Sequence, residues 1–196
     1  MKRVFDAVAA GLGLVVLSPV IAATAAVVAV GLGRPVLFRQ ARAGLHGREF
    51  EVLKFRTMLP PAPDLVSDAQ RLTPLGRLLR STSLDELPSL WNVLRGELSL
   101  VGPRPLPVRY LVRYTRQQAR RHEVRPGITG LAQVRGRNRL SWEEKFTLDV
   151  EYVDHRTFWF DLRILAETVR VVVRRDGITA AGEATAAEFL GAGVDA

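Results

Sequence analysis

Two adjacent carboxylates, Asp85 and Glu86, form an acidic dyad near the middle of the chain, with Arg80 before it and Arg95 after it. Ser83 precedes Glu86 by three residues, a spacing typical of a capping box, in which two side chains bind free N–H groups of a first helical turn. The helix dipole stabilises an acidic side chain there. The dyad could therefore be only a dipole complement, or it could hold a metal ion, move a proton or supply a nucleophile.

A helix is expected after the dyad, because four apolar residues there share one helical face. They are Leu87, Leu90, Trp91 and Leu94. Gly96 is a typical helix end, whereas Pro88 fits a first helical turn better than a helix interior. Two registers remain open: the helix begins at the capping box, or it begins a few residues later and leaves the dyad in the preceding loop.

Two neighbouring segments would bring arginines to the dyad. Thr73 and Pro74 are typical of a helix start, and the short helix that follows would deliver Arg80. Residues 59–71 are rich in proline and predict a loop. After the central helix, the Gly-Pro-Arg-Pro sequence that ends at Pro105 predicts a stiff turn that aims Arg104.

Two short strands, Val36–Gln40 and Glu49–Arg56, are predicted to form a hairpin around the loop Ala41–Gly47. Alternation along the second strand places Lys54 and Arg56 on one face. These cations could belong to a solvated strand edge or could bind anionic groups. Further along, a segment rich in glycine and arginine, at residues 125–138, predicts a loop with a short central strand that could cradle a phosphate.

Three consecutive segments around the dyad resemble the bacterial sugar transferases, which are small monotopic phosphoglycosyl transferases. They read Ser-Leu-Asp-Glu-Leu-Pro, Leu-Trp-Asn-Val-Leu-Arg-Gly and Ser-Leu-Val-Gly-Pro-Arg-Pro. The segments Gln40–Gly44, Lys54–Met58 and Arg125–Asn138 also resemble that family, and the resemblance runs from about residue 1 to about residue 175.

The resemblance implies transfer of a sugar 1-phosphate from a UDP-sugar to a membrane polyprenol phosphate, such as undecaprenyl phosphate, with release of UMP. This would be the first membrane step of a bacterial glycoconjugate or exopolysaccharide pathway. Asp85 would form an aspartyl phosphosugar, and Glu86 would help to hold Mg²⁺ or move a proton. Mg²⁺ prefers carboxylate and phosphate oxygens, so the dyad would be its ligand. The resemblance and the charge pattern assign the substrate phosphates to Lys54, Arg56, Arg80, Arg104, Arg125, Gln133 and Arg137.

The amino-acid composition limits the kinds of binding partner but does not select one of them. The chain of 196 residues is one domain in size, and its net charge of +8 favours nucleic acid, anionic lipid or phosphorylated small molecules. The absence of cysteine excludes a disulfide, a thiolate metal site and a cysteine nucleophile. The three histidines share no ligand spacing, which argues against a zinc centre.

The stretch Ala7–Gly33 carries no charge and, as a helix, reaches a membrane length of about 40 Å. It could be a cleaved signal peptide, a spanning helix or a re-entrant helix, although it exceeds the usual signal-peptide core of about 7–15 residues. Pro19 lacks an N–H and would leave the Val15 carbonyl unpaired, so Ser18 and Pro19 predict a break. Basic residues at both ends favour a re-entrant hairpin on the cytoplasmic face of the inner membrane.

Three helices are expected in the second half of the chain. Pro107–Arg121 predicts a helix with a basic stripe, which could bind DNA but, beside a membrane segment, favours anionic lipid headgroups. Ser141 and Glu144 form a capping box before a helix that extends to about Val153. Phe158–Arg174 predicts a last helix, whose aromatic start suits a bilayer interface as well as a core.

The sequence therefore predicts a mainly helical α+β protein in which a small β-hairpin and amphipathic interfacial helices surround the active site. Residues 1–33 would form a re-entrant membrane hairpin, residues 34–176 a catalytic domain on the cytoplasmic face, and residues 177–196 a flexible tail. The expected partners are a UDP-sugar, polyprenol phosphate and anionic lipids rather than nucleic acid. Formation of a homodimer is possible. Two other functions remain as alternatives: a nucleic-acid-binding protein and a catalytically silent membrane scaffold.

Overall fold

Helices make up most of the protein in the computed structural model, which describes residues 1–63, 65, 67–136, 139–174 and 188–191. Two sheets of two strands each complete the described chain. The prediction of a mainly helical protein with small sheets is therefore confirmed.

The N-terminal residues form helices α1 (Lys2–Val16) and α2 (Ser18–Leu32), which are bent by 63° at the break between them. The chain bends where Ser18 and Pro19 predict it. Ser18 Oγ donates a hydrogen bond of 2.8 Å to the Val15 carbonyl. The expectation of an unpaired Val15 carbonyl is therefore wrong, because the serine hydroxyl replaces the N–H that proline lacks.

Within the described residues, no helix alone has the length and apolar composition of a membrane span, whereas α1 and α2 taken together do. Many large apolar side chains of this helical pair are exposed. They include Val4, Val8, Leu12, Val15, Val16, Val20, Val27 and Val30. An exposed apolar surface of this kind is typical of an interaction site.

The predicted hairpin is present as antiparallel strands β1 (Leu37–Ala43) and β2 (Glu49–Phe55). Strand β1 extends beyond the predicted end at Gln40. The Ala43 N–H donates to the Leu106 carbonyl at 3.0 Å, so the end of β1 pairs with a distant segment as well as with β2. A partner so far along the chain has no local sequence signal.

Two short helices follow the hairpin, α3 (Asp68–Arg71) and α4 (Pro74–Ser81). Helix α4 begins as predicted, because Thr73 Oγ1 accepts a hydrogen bond of 3.0 Å from the Gly76 N–H. Helix α3 lies within the segment expected to be a loop. It forms because Ser67 makes a capping box with Gln70.

Helix α5 (Ser89–Arg95) ends at Gly96, which has a φ of 83° and lies in the left-handed region that favours glycine. Its buried face differs from the predicted apolar face, since Trp91 is 48% exposed. Instead, Asn92 accepts from the Leu53 N–H at 3.0 Å and donates to the Glu51 carbonyl at 2.7 Å. Helix α5 therefore covers the free edge of β2 with polar side chains, which exclude another strand there.

The second sheet joins β3 (Ser99–Val101) and β4 (Gly127–Thr129) in parallel. The two backbones approach so closely that a Cβ added at Gly127 would lie 2.1 Å from the Gly102 nitrogen. Glycine is required at this position by backbone packing, whether or not a phosphate binds nearby. A short strand is present in the glycine-rich segment, but it lies near the start of residues 125–138 and not at the predicted centre, which is helical.

The prediction of one long basic helix at Pro107–Arg121 is wrong. The segment consists of two tight turns on either side of α6 (Arg116–Ala119), because Thr115 is extended and forms a capping box with Gln118. Most of the expected basic stripe is also paired within the chain. Arg109 and Arg113 bind Glu188, and Arg120 binds Glu123 and Asp154.

Three helices complete the described chain: α7 (Leu131–Arg135), α8 (Trp142–His155) and α9 (Phe158–Arg174). Helix α7 occupies part of the expected glycine-rich loop. The Ser141 capping box and the start of α9 agree with the sequence prediction. Trp159 at the start of α9 is 77% exposed, and its neighbour Phe158 packs edge-to-face against Phe5 of α1.

Four residues of the predicted flexible tail, 188–191, lie in the described part of the chain. Phe189 is buried against Tyr110, Phe146 and the ring of Trp142. Most of the tail prediction falls on residues outside the described ranges.

Charged residues of α1 bind the rest of the protein. Arg3 donates two hydrogen bonds of 2.6 Å to the carbonyls of Val93 and Leu94, at the C-terminal end of α5. The buried carboxylate of Asp6 accepts from Ser99 Oγ at 2.8 Å and from the Leu100 N–H. Lys2 pairs with Asp161 of α9 at 2.6 Å. The apolar helical pair is therefore attached through ionic contacts to the elements that surround the dyad.

We expect the substitution Arg3→Gln to lower the free energy of unfolding by about 1–3 kcal/mol, because it removes two charge-assisted bonds to helix-end carbonyls. Thermal unfolding in detergent measures the change. Arg163→Gln is the control, because Arg163 pairs with Glu167 on an exposed surface of α9 and its loss should have little effect. Equal unfolding temperatures for the two variants would contradict this assignment.

Candidate active site

The dyad lies in a tight helical turn, Leu84–Glu86, between α4 and α5. The predicted capping box is wrong, because Ser83 has a φ of 57° and makes no side-chain cap bond. The later of the two registers is confirmed, since α5 begins at Ser89. A serine in the left-handed region is uncommon, and the tight turn that it enters presents the two carboxylates to the neighbouring elements.

The carboxylate of Asp85 is buried, with 8% of the residue exposed. Its pKa is raised to about 6, first by burial and then by the negative charge of the adjacent Glu86. The positive charges of Lys54, Arg80 and Arg104 act in the opposite direction. The loss of hydration therefore outweighs the surrounding cations, but the pKa still lies below 7, so Asp85 is mostly ionised at neutral pH.

Glu86 joins two of these cations. Its Oε1 accepts from Lys54 Nζ at 2.5 Å and lies 3.5 Å from Arg104 Nη2. Lys54 comes from β2 and Arg104 from the predicted stiff turn after β3, so one carboxylate fixes two separate elements. Glu86 also borders a small open cleft. The cleft is lined by the charged residues Arg42, Lys54, Glu86 and Arg104 and by Val52, Leu98, Pro105 and Ile128.

Arg80 reaches the dyad from α4, as predicted. Its Nε donates to Thr57 Oγ1 at 3.1 Å, which fixes the direction of the guanidinium. Burial lowers the pKa of Arg80, and the charge of Asp85 raises it again. The structure therefore brings three of the predicted phosphate ligands to the dyad, from β2, α4 and the turn at Arg104.

Two other predicted ligands are bound to helix ends. Arg56 donates to the carbonyls of Leu32 and Gly33 at the end of α2. Arg125 donates to the Gly96 carbonyl at 2.8 Å, at the end of α5. Cations are favourable at these positions because helix C-termini carry partial negative charge.

The remaining two predicted ligands belong to the glycine-rich segment. Gln133 lies in α7, and neither its amide nitrogen nor its amide oxygen has a hydrogen-bond partner among the described residues, although both atoms are buried. Arg137 lies outside the described residues.

A buried ion pair supports Arg104 and was missed from the sequence. Arg121 Nε and Nη2 donate to Asp149 Oδ2 at 2.9 and 2.7 Å, and Nη2 also donates to the Arg104 carbonyl at 2.7 Å. Asp149 is therefore the carboxylate partner of a buried arginine. The wrong assignment of residues 107–121 to one basic helix hid Arg121, which is buried.

The two carboxylates of the dyad are side chains that could take part in holding a metal ion at this site. Within the described residues, no group of three or more histidine or acidic side chains is placed to hold a metal ion. Mg²⁺ is commonly bound by one or two carboxylates together with substrate phosphates. Asp85 and Glu86 could supply those carboxylates.

Comparison with known proteins identifies the family. The family model described as bacterial sugar transferase matches residues 1–175. The chain belongs to the bacterial sugar transferase family. The protein is therefore an enzyme of the transferase class, as the segments around the dyad predict.

The transferase has relatives of different lengths. It is 54% identical over 196 residues to uncharacterized sugar transferase EpsL of Bacillus subtilis, covering 98% of this chain and 97% of that protein. It is 41% identical to UDP-glucose:undecaprenyl-phosphate glucose-1-phosphate transferase of Caulobacter vibrioides, covering 89% of this chain and 70% of that protein. It is 36% identical to undecaprenyl-phosphate galactose phosphotransferase of Salmonella typhimurium and covers only 41% of it.

We expect Asp149→Asn to destabilise the transferase by about 3–5 kcal/mol, because it leaves the buried charge of Arg121 without its partner. Replacing both partners, with Arg121→Met and Asp149→Leu together, should be less destabilising than Asp149→Asn alone. Thermal unfolding of Asp149→Asn, of the double variant and of its two single variants, Arg121→Met and Asp149→Leu, measures the differences. A double variant as unstable as the sum of its single substitutions would contradict a coupled pair.

The raised pKa of Asp85 predicts how Asp85→Asn changes stability with pH. The folded protein holds the Asp85 proton more tightly than the unfolded chain, so wild-type stability contributed by this group decreases as pH rises from about 4 to about 6. Asparagine has no such proton. The stability advantage of Asp85→Asn over wild type should therefore grow across this range, as measured by unfolding at about pH 5 and about pH 7.5. A difference that shrinks as pH rises would contradict the raised pKa.

Proposed function

We propose that this transferase moves a sugar 1-phosphate from a UDP-sugar to undecaprenyl phosphate and releases UMP, through an aspartyl phosphosugar on Asp85. The names of its relatives in Caulobacter vibrioides and Salmonella typhimurium support the general reaction. The observation that carries the proposal is the buried carboxylate of Asp85 among the cations Lys54, Arg80 and Arg104.

In the first half-reaction, a carboxylate oxygen of Asp85 attacks the β-phosphorus of the UDP-sugar. The bond between this phosphorus and the bridging oxygen breaks, UMP leaves with that oxygen, and the sugar phosphate remains bonded to Asp85. A carboxylate with a pKa of about 6 is ionised at neutral pH. Its burial also removes hydration that would otherwise have to be displaced before attack.

In the second half-reaction, a phosphate oxygen of undecaprenyl phosphate attacks the same phosphorus. The bond between Asp85 and phosphorus breaks, which restores the carboxylate and forms the diphosphate link between the lipid and the sugar. Because UMP has left by then, the two anionic substrates can use one cationic site in turn. A single small site therefore suits a reaction between two phosphorylated molecules.

The cations around Asp85 would stabilise the charge on the transferred phosphoryl group. Lys54 and Arg104 are held in place by Glu86, and Arg80 by Thr57, so little reorganisation is needed when substrate binds. Asp85 and Glu86 would be the protein ligands of Mg²⁺. When bound, Mg²⁺ would offset the negative charge of the substrate diphosphate.

The membrane hairpin explains how the lipid-linked acceptor reaches the dyad. The exposed apolar side chains of α1 and α2 would enter one leaflet from the cytoplasmic face of the inner membrane, in a monotopic arrangement. The exposed ring of Trp159 would lie at the interface, where indole rings are favoured. Arginines at the surface, such as Arg116, would meet anionic headgroups.

Incubation with a panel of UDP-sugars labelled in the sugar phosphate, without acceptor, tests the covalent step. Label should remain on the denatured wild-type protein, because the intermediate has no acceptor, and should be absent from Asp85→Asn. Asp154→Asn is the matched control, since Asp154 is an exposed acid that pairs with Arg120. Mass spectrometry of the labelled peptide checks that the label is attached to Asp85.

Other outcomes would favour other functions. Release of UMP only when acceptor is present, with no label on the protein, would indicate direct transfer without the intermediate. Binding of oligonucleotides that weakens steeply with salt, without turnover of any UDP-sugar, would favour a nucleic-acid-binding protein. Full cellular function of Asp85→Asn would favour a silent scaffold.

A further inference from the structure

The extension of β1 beyond its predicted end places Arg42 beside the dyad. Arg42 forms a backbone bridge with Pro107, and its Nη1 lies 3.4 Å from the Pro105 carbonyl. Its side chain lines the same cleft as Lys54 and Arg104. Arg42 is not among the phosphate ligands predicted from the sequence, which placed this position in the hairpin loop.

The partners of Arg42 are neutral. Its Nη2 donates to Gln40 Oε1 at 2.5 Å, and within the described part of the chain no ion pair joins it to a carboxylate. Arg39, on the same strand, shows the contrast, because it lies 3.6 Å from Glu51 and both side chains are 63% exposed. A partly buried guanidinium held only by neutral oxygens is suited to an anion from outside the chain.

The charge of the cleft strengthens this argument. Three cations, Arg42, Lys54 and Arg104, face one carboxylate, Glu86, which already binds both Lys54 and Arg104. Burial, and secondly the nearby charge of Arg104, lower the pKa of Arg42 to about 10, so the guanidinium is a partly desolvated cation beside a second cation. A bound phosphate would offset these positive charges, and the planar fork of arginine matches two phosphate oxygens.

We propose that Arg42, together with Arg104, binds a substrate phosphate other than the phosphoryl group that Asp85 attacks. The proposal rests on the proposed function for the identity of the phosphates. Two sources share this chemistry: the phosphate that leaves in UMP, and the phosphate of the lipid acceptor. Arg42 would hold the phosphate through its guanidinium fork, whereas Lys54 and Arg80 act on the transferred group.

Binding measurements on the full chain in detergent with Mg²⁺ separate the two sources. Isothermal titration with UMP reports the phosphate of the leaving nucleotide, and titration with dodecyl phosphate reports the acceptor phosphate. We expect Arg42→Gln to weaken the binding of at least one ligand by about tenfold or more, because it removes hydrogen bonds between charged groups. Arg39→Gln, on the same strand, should leave both affinities within about twofold of wild type.

A third variant, Arg42→Lys, distinguishes the fork from the charge. Lysine keeps the charge but lacks the two parallel N–H groups, so it should restore only part of the lost affinity. Arg42→Gln should unfold at the wild-type temperature or above, because it removes a partly buried charge without a carboxylate partner. Loss of the dodecyl phosphate affinity alone would assign Arg42 to the acceptor, and loss of the UMP affinity alone would assign it to the phosphate of the leaving nucleotide.

The proposal is overturned if Arg42→Gln binds both ligands as well as Arg39→Gln does, or if the wild-type chain binds neither. These measurements need no turnover. If Asp85 stays unlabelled in the incubation with UDP-sugars, the covalent mechanism is overturned. The phosphate site of Arg42 is tested separately, by the binding affinities.

Discussion

The removal of the Asp85 carboxylate from water is the constraint on which this structure depends. A buried carboxylate is unfavourable unless charges or hydrogen bonds compensate for its lost hydration. Here the compensation comes from three cations that lie far apart in the sequence, Lys54, Arg80 and Arg104. Helix α4, the hairpin and the turn after β3 each place one of these cations near Asp85.

Polar side chains, in addition to the apolar clusters, join these elements to one another. Asn92 covers the edge of β2, and Arg121 links α8 to the backbone of Arg104. Arg56 and Arg125 bind the carbonyls at two helix ends. The net charge of +8 therefore has two origins, since some arginines compensate backbone dipoles inside the fold while others face the cleft or the surface. Composition alone favours anionic partners and does not distinguish the two groups.

Local signals predicted the parts of this fold whose partners are near in sequence. Thr73 and Ser141 begin helices where their capping patterns indicate, and the dyad was found from residue type and spacing. The predictions are wrong where a residue's structure depends on a partner that is distant in the sequence. Ser83 does not cap a helix, and the Glu86 carboxylate instead binds Lys54 from another element. Arg42 belongs to a strand rather than a loop, because β1 pairs with β2 as far as Ala43, and this end of β1 also contacts a segment more than sixty residues later. No pattern within a short window could have indicated these contacts.

The ionic attachment of α1 also affects how the protein can be shortened. A soluble version made by deleting the apolar hairpin would lose Arg3 and Asp6 with it, and would leave the last carbonyls of α5 and the polar groups of Ser99 and Leu100 without their partners. The truncated boundary would then lie against the elements that carry the dyad and Arg104. For this protein, expression without its lipophilic segment removes part of the catalytic scaffold, so detergent or nanodisc preparations of the whole chain are the appropriate material.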